Sequence, residues 1–339
     1  MQPRLPIGKL EPELLARLLG GIQITDPRVI VGPGVGRDVT VLEWGGGDRY
    51  LIAKTDPITF VTDEIGHYAV AVNANDIATS GGCPLWFLAT LLLPEQQSDE
   101  ALVGTILAQI DDACRKMGIA LVGGHTEVTY GLDRPILVGF MLGEVQKGGL
   151  ITSEGARVGD RILLTKRVAV EGTSIIAREA GERLLAEGIA PASIERARGF
   201  LHTPGISVLR EAQAAVAAGE VHAMHDPTEG GVATGLHELA VASGNGVAVR
   251  LGGIPVYPET EAFCATLGLE PLGLIASGSL LLAVAPEDAQ AIAAAIRAEG
   301  IECAEVGEVA PREQGIMMLD ETGWTDLPRY DQDEVAKLF

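Results

Sequence analysis

The 339-residue chain carries a formal charge of −21, with 47% hydrophobic and 21% charged residues. That balance suits a folded globular protein, and the length exceeds what one hydrophobic core usually serves, so two domains are expected. The acidic surplus excludes the clustered Lys and Arg of a nucleic-acid footprint, and no apolar run reaches the ~18 residues a membrane span needs.

The opening MQPRLPIGKL has no long apolar leader, which makes the cytoplasm the expected compartment. Residues 39–44 and 49–54 flank Gly45-Gly46-Gly47-Asp48 and read as a hairpin. A helix over 66–80 follows, then an apolar strand over 86–93. The next helix runs over 98–117, opening at Ser98-Asp99-Glu100 and stopping at Gly118. Strands over 119–123 and 135–145 complete a first domain, residues 1–150. The Gly-rich segment 146–160 marks the boundary. A second domain, 151–325, starts at the strand RILLTK (161–166). It continues with helices over 171–188, 206–218, 231–243 and 286–299 and strands over 221–225, 247–250, 279–285 and 301–307. The remaining 326–339 reads as a polar, peripheral tail. Alternating strands and helices predict an α/β fold of the α+β type. The four cysteines show no CxxC spacing and read as buried thiols.

Four polar clusters in the first domain lie at expected strand ends or in small-residue helix. They are Gly34-Val35-Gly36-Arg37-Asp38, Lys54-Thr55-Asp56-Pro57, Asn73-Ala74-Asn75-Asp76 and Gly123-Gly124-His125-Thr126-Glu127. Singly, each has an ordinary reading: Asp38 and Asp56 as turn or cap residues, Asp76 as a solvent-facing helical residue, the paired glycines as a tight turn. Yet a carboxylate among Ala, Val and Ile is costly to bury without a partner. Aspartates from several loops suit Mg²⁺, which takes a few carboxylates plus phosphate oxygens. In the second domain His225-Asp226-Pro227-Thr228-Glu229-Gly230-Gly231 opens a helix. Free backbone N–H groups there favour an anion.

In this order the segments GVGRDVTV (34–41), KTDPITF (54–60), NANDIATSGGCPLWFLATLLLP (73–94), GGHTEVT (123–129) and HDPTEGGVATGLHELA (225–240) carry a resemblance. The chain resembles the PurM-like superfamily of aminoimidazole ribonucleotide synthetase, which includes the hydrogenase maturation factor HypE, thiamine-monophosphate kinase and selenide, water dikinase. The branch it looks most like is HypE and the proteins described only as related to that synthetase. The resemblance implies a two-domain fold and a homodimer whose N-terminal sheets form a β-barrel. It implies ATP and Mg²⁺ as cofactors and a small-molecule or protein-borne substrate. Asp38, Asp56 and Asp76 fall on the family's metal positions. Lys54, Asn75, Gly123, Gly124, Thr126, Thr228, Gly230 and Gly231 fall on its nucleotide-binding segments. His125, Glu127, His225 and Asp226 are the expected catalytic groups.

Two departures stand out. His125 occupies a position where many members carry Asp or Glu, and Glu127, two residues on, points to the same side of a strand. The residues 326–339 contain no cysteine of the kind HypE uses to carry its substrate. The expected reaction is phosphorylation of an amide- or carbonyl-type oxygen. A kinase of a small phosphorylated metabolite and a non-catalytic nucleotide-binding partner protein stand as alternatives.

Overall fold

The computed structural model describes residues 5, 10, 12–59, 62–330 and 332–338. Most of the opening segment read for a leader lies outside the described residues, as do Phe60 of KTDPITF and the terminal Phe339.

The first domain runs α1 (Pro12–Leu19), β1 (Val29–Val31), β2 (Thr40–Glu43), β3 (Arg49–Ile58), α2 (Ile65–Thr79), β4 (Cys83–Pro94), α3 (Glu100–Met117), β5 (Ala120–Thr129) and β6 (Ile136–Gln146). Its sheet has the order β1-β2-β3-β6-β4-β5. Crossover helix α3 makes β4 and β5 parallel neighbours, whereas β6 inserts antiparallel between β3 and β4. The alternation of the strands puts Ile52, Phe87, Leu91, Leu137 and Met141 on one face, packed with Ile65, Ile106 and Ile110 of α2 and α3. Among the described residues no helix of this domain covers the other face, where Trp86 and Phe140 stay exposed. Within one chain the sheet is open, with β1 and β5 at its edges.

The second domain contains β7 (Arg161–Thr165), α4 (Val170–Glu179), α5 (Gly181–Ala186), α6 (Pro191–Arg198), α7 (Leu209–Ala218), β8 (Val221–His225), α8 (Gly231–Ser243), β9 (Gly246–Arg250), α9 (Pro258–Leu267), β10 (Leu281–Val284), α10 (Ala289–Ala298), β11 (Cys303–Ala310), β12 (Ile316–Asp320) and β13 (Gly323–Asp326). The sheet order is β13-β12-β9-β11-β7-β10-β8. Interior strand β7 is apolar over residues 162–164 because both of its faces are covered. Ile162 and Leu164 meet Val232 and Leu236 of α8, while Leu163 meets α7 and α10.

Several expectations change. Asp56 lies inside β3, which runs on to Ile58, and Gly123-Gly124 lie inside β5 rather than in a turn. The helix expected over 171–188 breaks at Ala180 into α4 and α5. Cys83 is exposed, while Cys114, Cys264 and Cys303 are buried as expected. The tail is docked rather than peripheral: Leu327 and Glu334 are buried, and Val335 and Leu338 pack against Ile176 and Leu274.

Helix α2 is buried nearly throughout, because the sheet takes one side and the second domain the other. Its asparagines are the fasteners. Asn73 accepts from the Asp56 amide at 2.9 Å and donates to the Ala69 carbonyl at 2.8 Å. Asn75 donates to the Ile206 carbonyl and accepts from the Val208 amide, both at 2.9 Å, joining the domains. Replacing it would strand a buried carbonyl and a buried amide. Asn75→Ala is expected to lower stability by about 2–4 kcal/mol in urea unfolding, and a loss below about 1 kcal/mol would contradict this role.

Candidate active site at the domain seam

Lys54 and Asp56, two residues apart on β3, share the face turned toward α2. Asp76 projects from α2 to meet them. The Lys54 ammonium stands 3.1 Å from Asp56 Oδ2 and 2.8 Å from Asp76 Oδ2. Asp76 Oδ2 is buried, and the Lys54 ammonium is its charge partner. Asp38, just before β2, and Asp226, just after β8, complete the group electrostatically.

Each charge here is shifted by the others. Burial, the largest influence, drives the Asp76 carboxyl well above the usual range. Lys54 opposes that rise, while Asp226, Asp38 and Asp56 reinforce it. Burial also pushes Asp226 up to about 7; His225 and Lys54 restrain it, and Asp38 adds to the rise. Burial alone would lower the Lys54 pKa, but Asp76, Asp56 and Asp38 together raise it, so the ammonium is firmly charged. His225 donates toward Glu238, 2.7 Å away. Burial pulls its pKa down, yet Glu238, Asp38 and Asp226 lift it to about 9.

A cavity of about 180 Å³ adjoins the aspartates, lined by Gly36, Arg37, Asp38, Asp76, Thr79 and Ser153 among others. That is below the ~300–1,000 Å³ of a typical small-molecule pocket, so it has room for a phosphate group but not a nucleoside. A larger open depression of about 430 Å³, near Pro255, Arg297 and Glu302, contains none of the expected site residues.

The structure therefore brings together Asp38, Lys54, Asp56, Asp76, His225 and Asp226. It does not bring His125 and Glu127 to them. Those two bond to each other at 3.1 Å on edge strand β5, which lies three strands, about 14 Å, from β3. Their partners across the register, Thr90 and Leu92, alternate with the helix-facing Ala89 and Leu91, so they project from the opposite face of the sheet. Gly123 and Thr126 ride the same distant strand. Gly124 is there because a Cβ would stand 2.1 Å from the Ala89 carbonyl. Asn75, expected at the nucleotide, is spent on the domain junction and fully buried.

The second-domain glycines also meet something other than an open anion site. The Gly230 amide donates to the Asp333 carboxylate of the tail at 2.7 Å, and the Thr228 carbonyl accepts from Gly231 and Ala276. Gly231 has φ +68°, and a Cβ there would lie 2.3 Å from the Leu272 carbonyl. Glu171, Glu238 and Asp333 escaped sequence reading. For Glu171 a signal existed: an acid in the small, apolar run VAVEGT, the same pattern that singled out Asp76.

Residues 36–145 match the AIR synthase related protein N-terminal domain, and residues 157–320 match its C-terminal domain. The carbamoyl dehydratase HypE of Cupriavidus necator is 32% identical over 286 residues, covering 81% of this chain and 77% of that protein. The selenide, water dikinase of Pelobacter propionicus is 29% identical over 338 residues, covering 89% and 91%. The crystal structure of hydrogenase maturation protein HypE in complex with ATP shares the fold, with a TM-score of 0.73 at 24% identity over 94% of this chain and 95% of that one.

The His225–Glu238 pair makes stability depend on pH. A histidine raised from 6.5 to about 9 contributes stability that is fully present below 6.5 and is lost as pH rises through about 9. The contribution is at most about 3 kcal/mol. Thermal melting should therefore fall between about pH 6 and pH 10, and Glu238→Gln should flatten that fall. Equal slopes in the two proteins would contradict the pairing.

Proposed function

The chain belongs to the AIR synthase related family, and we propose that it is an ATP-dependent enzyme that activates an amide- or carbamoyl-type oxygen by phosphorylating it, in hydrogenase maturation or a related biosynthesis. One observation carries the reading: a buried lysine held among four aspartates at the seam of two domains, beside a cavity of phosphate size. The ATP-bound HypE structure and the carbamoyl dehydratase relative support the choice of nucleotide and acceptor.

The donor set fits Mg²⁺. Asp38, Asp56 and Asp76 are hard oxygen donors, and burial, with Asp226, Asp38 and Asp56, raises the Asp76 carboxyl against Lys54, so a further cation would be welcome there. No three His, Cys, Asp or Glu side chains among the described residues stand close enough to hold a metal ion unaided. Mg²⁺ commonly takes one or two carboxylates and completes its shell with phosphate oxygens and water. When bound, the ion would neutralise polyphosphate charge. Lys54, already charged and fixed, would meet a phosphate oxygen once the aspartates turn to the metal. His225 and Asp226, at the second-domain wall of the same cluster, would orient the acceptor. Positioning and charge neutralisation supply most of the catalysis in phosphoryl transfer.

The uncovered sheet face suggests how His125 and Glu127 contribute. We propose that a second copy of the chain covers the face carrying Trp86 and Phe140 and pairs near the exposed β5, a face and an edge left open for such pairing. In that assembly His125 and Glu127 lie at the subunit junction. A monomer in sedimentation equilibrium would remove this part of the proposal.

Product analysis tests the reaction. With Mg²⁺–ATP and an S-carbamoyl thiol such as S-carbamoyl-N-acetylcysteine, ADP and free inorganic phosphate are expected in equal amounts. A phosphorylated acceptor that persists would point to the kinase reading. ATP binding without any turnover would favour the non-catalytic one.

A further inference from the structure

Glu171 opens α4 at the junction of the two domains and is 5% exposed. Its Oε2 is buried without a hydrogen-bond partner among the described residues. Ser277 is a hydroxyl neighbour, and its hydrogen bond favours the charged form. An unpaired buried carboxyl oxygen is costly, and such groups persist where something other than stability keeps them.

The backbone aims it. The turn between β7 and α4 holds two non-glycine residues in the left-handed region, Lys166 at φ 53° and Ala169 at φ 58°. That conformation is maintained by the surroundings. Lys166 Nζ pairs with Glu211 at 2.8 Å and donates to the carbonyls of Ser207 and Gly278. One residue after Glu171, the Gly172 amide donates to the Ile275 carbonyl at 3.0 Å, and a Cβ there would approach that oxygen to 2.9 Å. The start of α4 is thus pressed onto the 275–277 segment.

The same segment reaches the aspartate cluster. The Ala276 amide donates to the Thr228 carbonyl at 3.2 Å, and Thr228 lies two residues beyond Asp226. Glu171 and Asp226 are therefore held by two loops bonded to each other. The charges facing Glu171 are Asp333 and Glu229, with Ser277 as the hydrogen-bonding neighbour. Tyr68 of α2 and Arg178 farther along α4 share its surroundings. Burial raises the Asp333 carboxyl against the amides of Val335, Gly230 and Ile275, which take up its hydrogen-bonding capacity. Burial, reinforced by Asp333 and Glu229 against Ser277, pushes the Glu171 carboxyl up to about 7, a useful value for a base at neutral pH.

Resting on the phosphorylation reading above, we propose that Glu171 is the catalytic base of this enzyme and accepts an N–H proton from the amide or carbamoyl acceptor. As the acceptor oxygen bonds to the γ-phosphorus of the nucleoside triphosphate, the bond from that phosphorus to the β–γ bridging oxygen breaks. The diphosphate leaves with that electron pair. The N–H electron pair becomes the C=N bond, and the proton passes to Glu171 Oε2. The products are an imidate phosphate, the nucleoside diphosphate and a neutral Glu171.

The test uses the full chain and the S-carbamoyl-N-acetylcysteine probe. ADP release by the wild type should rise with pH through an ionisation near 7. Glu171→Gln should lower the rate by about 100-fold or more and abolish that rise, with ATP affinity unchanged, and Glu171→Asp should recover part of the rate. An unaltered rate and pH profile in Glu171→Gln would overturn the proposal. If the wild type does not turn over the probe, the phosphorylation reading fails, and calorimetric binding of acetamidinium still tests Glu171. Its N–H groups match a carboxylate, so Glu171→Gln should bind it at least about tenfold more weakly. Equal binding would overturn the assignment. The Gln variant should fold, because it removes a buried acid that loses stability as pH rises from 4.5 through about 7, and it should melt higher than the wild type above that range.

Discussion

Lys54 is buried where Asp38, Asp56, Asp76 and Asp226 converge, and burying its charge is tolerable only because two of these carboxylates stand within 3.1 Å. The reverse holds as well. Asp76 and Asp226 could not share so dry a place without a cation, and each carboxyl is still raised by burial although Lys54 and, for Asp226, His225 oppose the rise. The result is a site short of positive charge at the domain seam. In the proposed function a Mg²⁺-bound polyphosphate would bring both a further cation and oxygens for Lys54 to meet.

A single stretch of α2 makes the arrangement rigid. Residues 73–76 place three polar side chains in an otherwise apolar buried helix, and each has a different job. Asn73 pins the β3 backbone at Asp56, which fixes the register that sets Lys54 and Asp56 on the helix-facing side. The strand alongside must then carry Gly139, because a Cβ there would come within 2.3 Å of Asn73 Nδ2. Asn75 grips the second domain at Ile206 and Val208, bringing β8 and its Asp226 to the same place. Asp76 faces the ammonium. The helix works as a positioning device first, and in the proposed function it would contribute a ligand second.

Much of this was legible in the sequence where local rules act. Asp99 as N-cap and Gly118 as C-terminal stop follow directly from residue chemistry, and the structure has both. An acid inside a small apolar helix pointed to Asp76 because burial and charge conflict there. Glu127 two residues after His125 was placed on the same side by strand periodicity, and the two do bond. What the sequence could not show depends on distant partners. Gly123-Gly124 looked like a turn, but Gly124 is glycine because parallel β4 passes so close to it. Asn75 looked like part of the ligand set because its partners lie 131 and 133 residues away. Asp333, in a segment that reads as solvent-exposed, finds the Gly230 amide 103 residues earlier. Which face of a sheet a side chain occupies also depends on register, and that separates His125 from the aspartates.

Calorimetric titration of ATP with and without Mg²⁺, into the wild type and into Asp76→Asn, tests the central claim most directly. In the wild type Mg²⁺ should strengthen ATP binding by about 100-fold or more, and in Asp76→Asn most of that gain should disappear while the fold is retained. Equal ATP affinity with and without Mg²⁺ in the wild type would contradict the account.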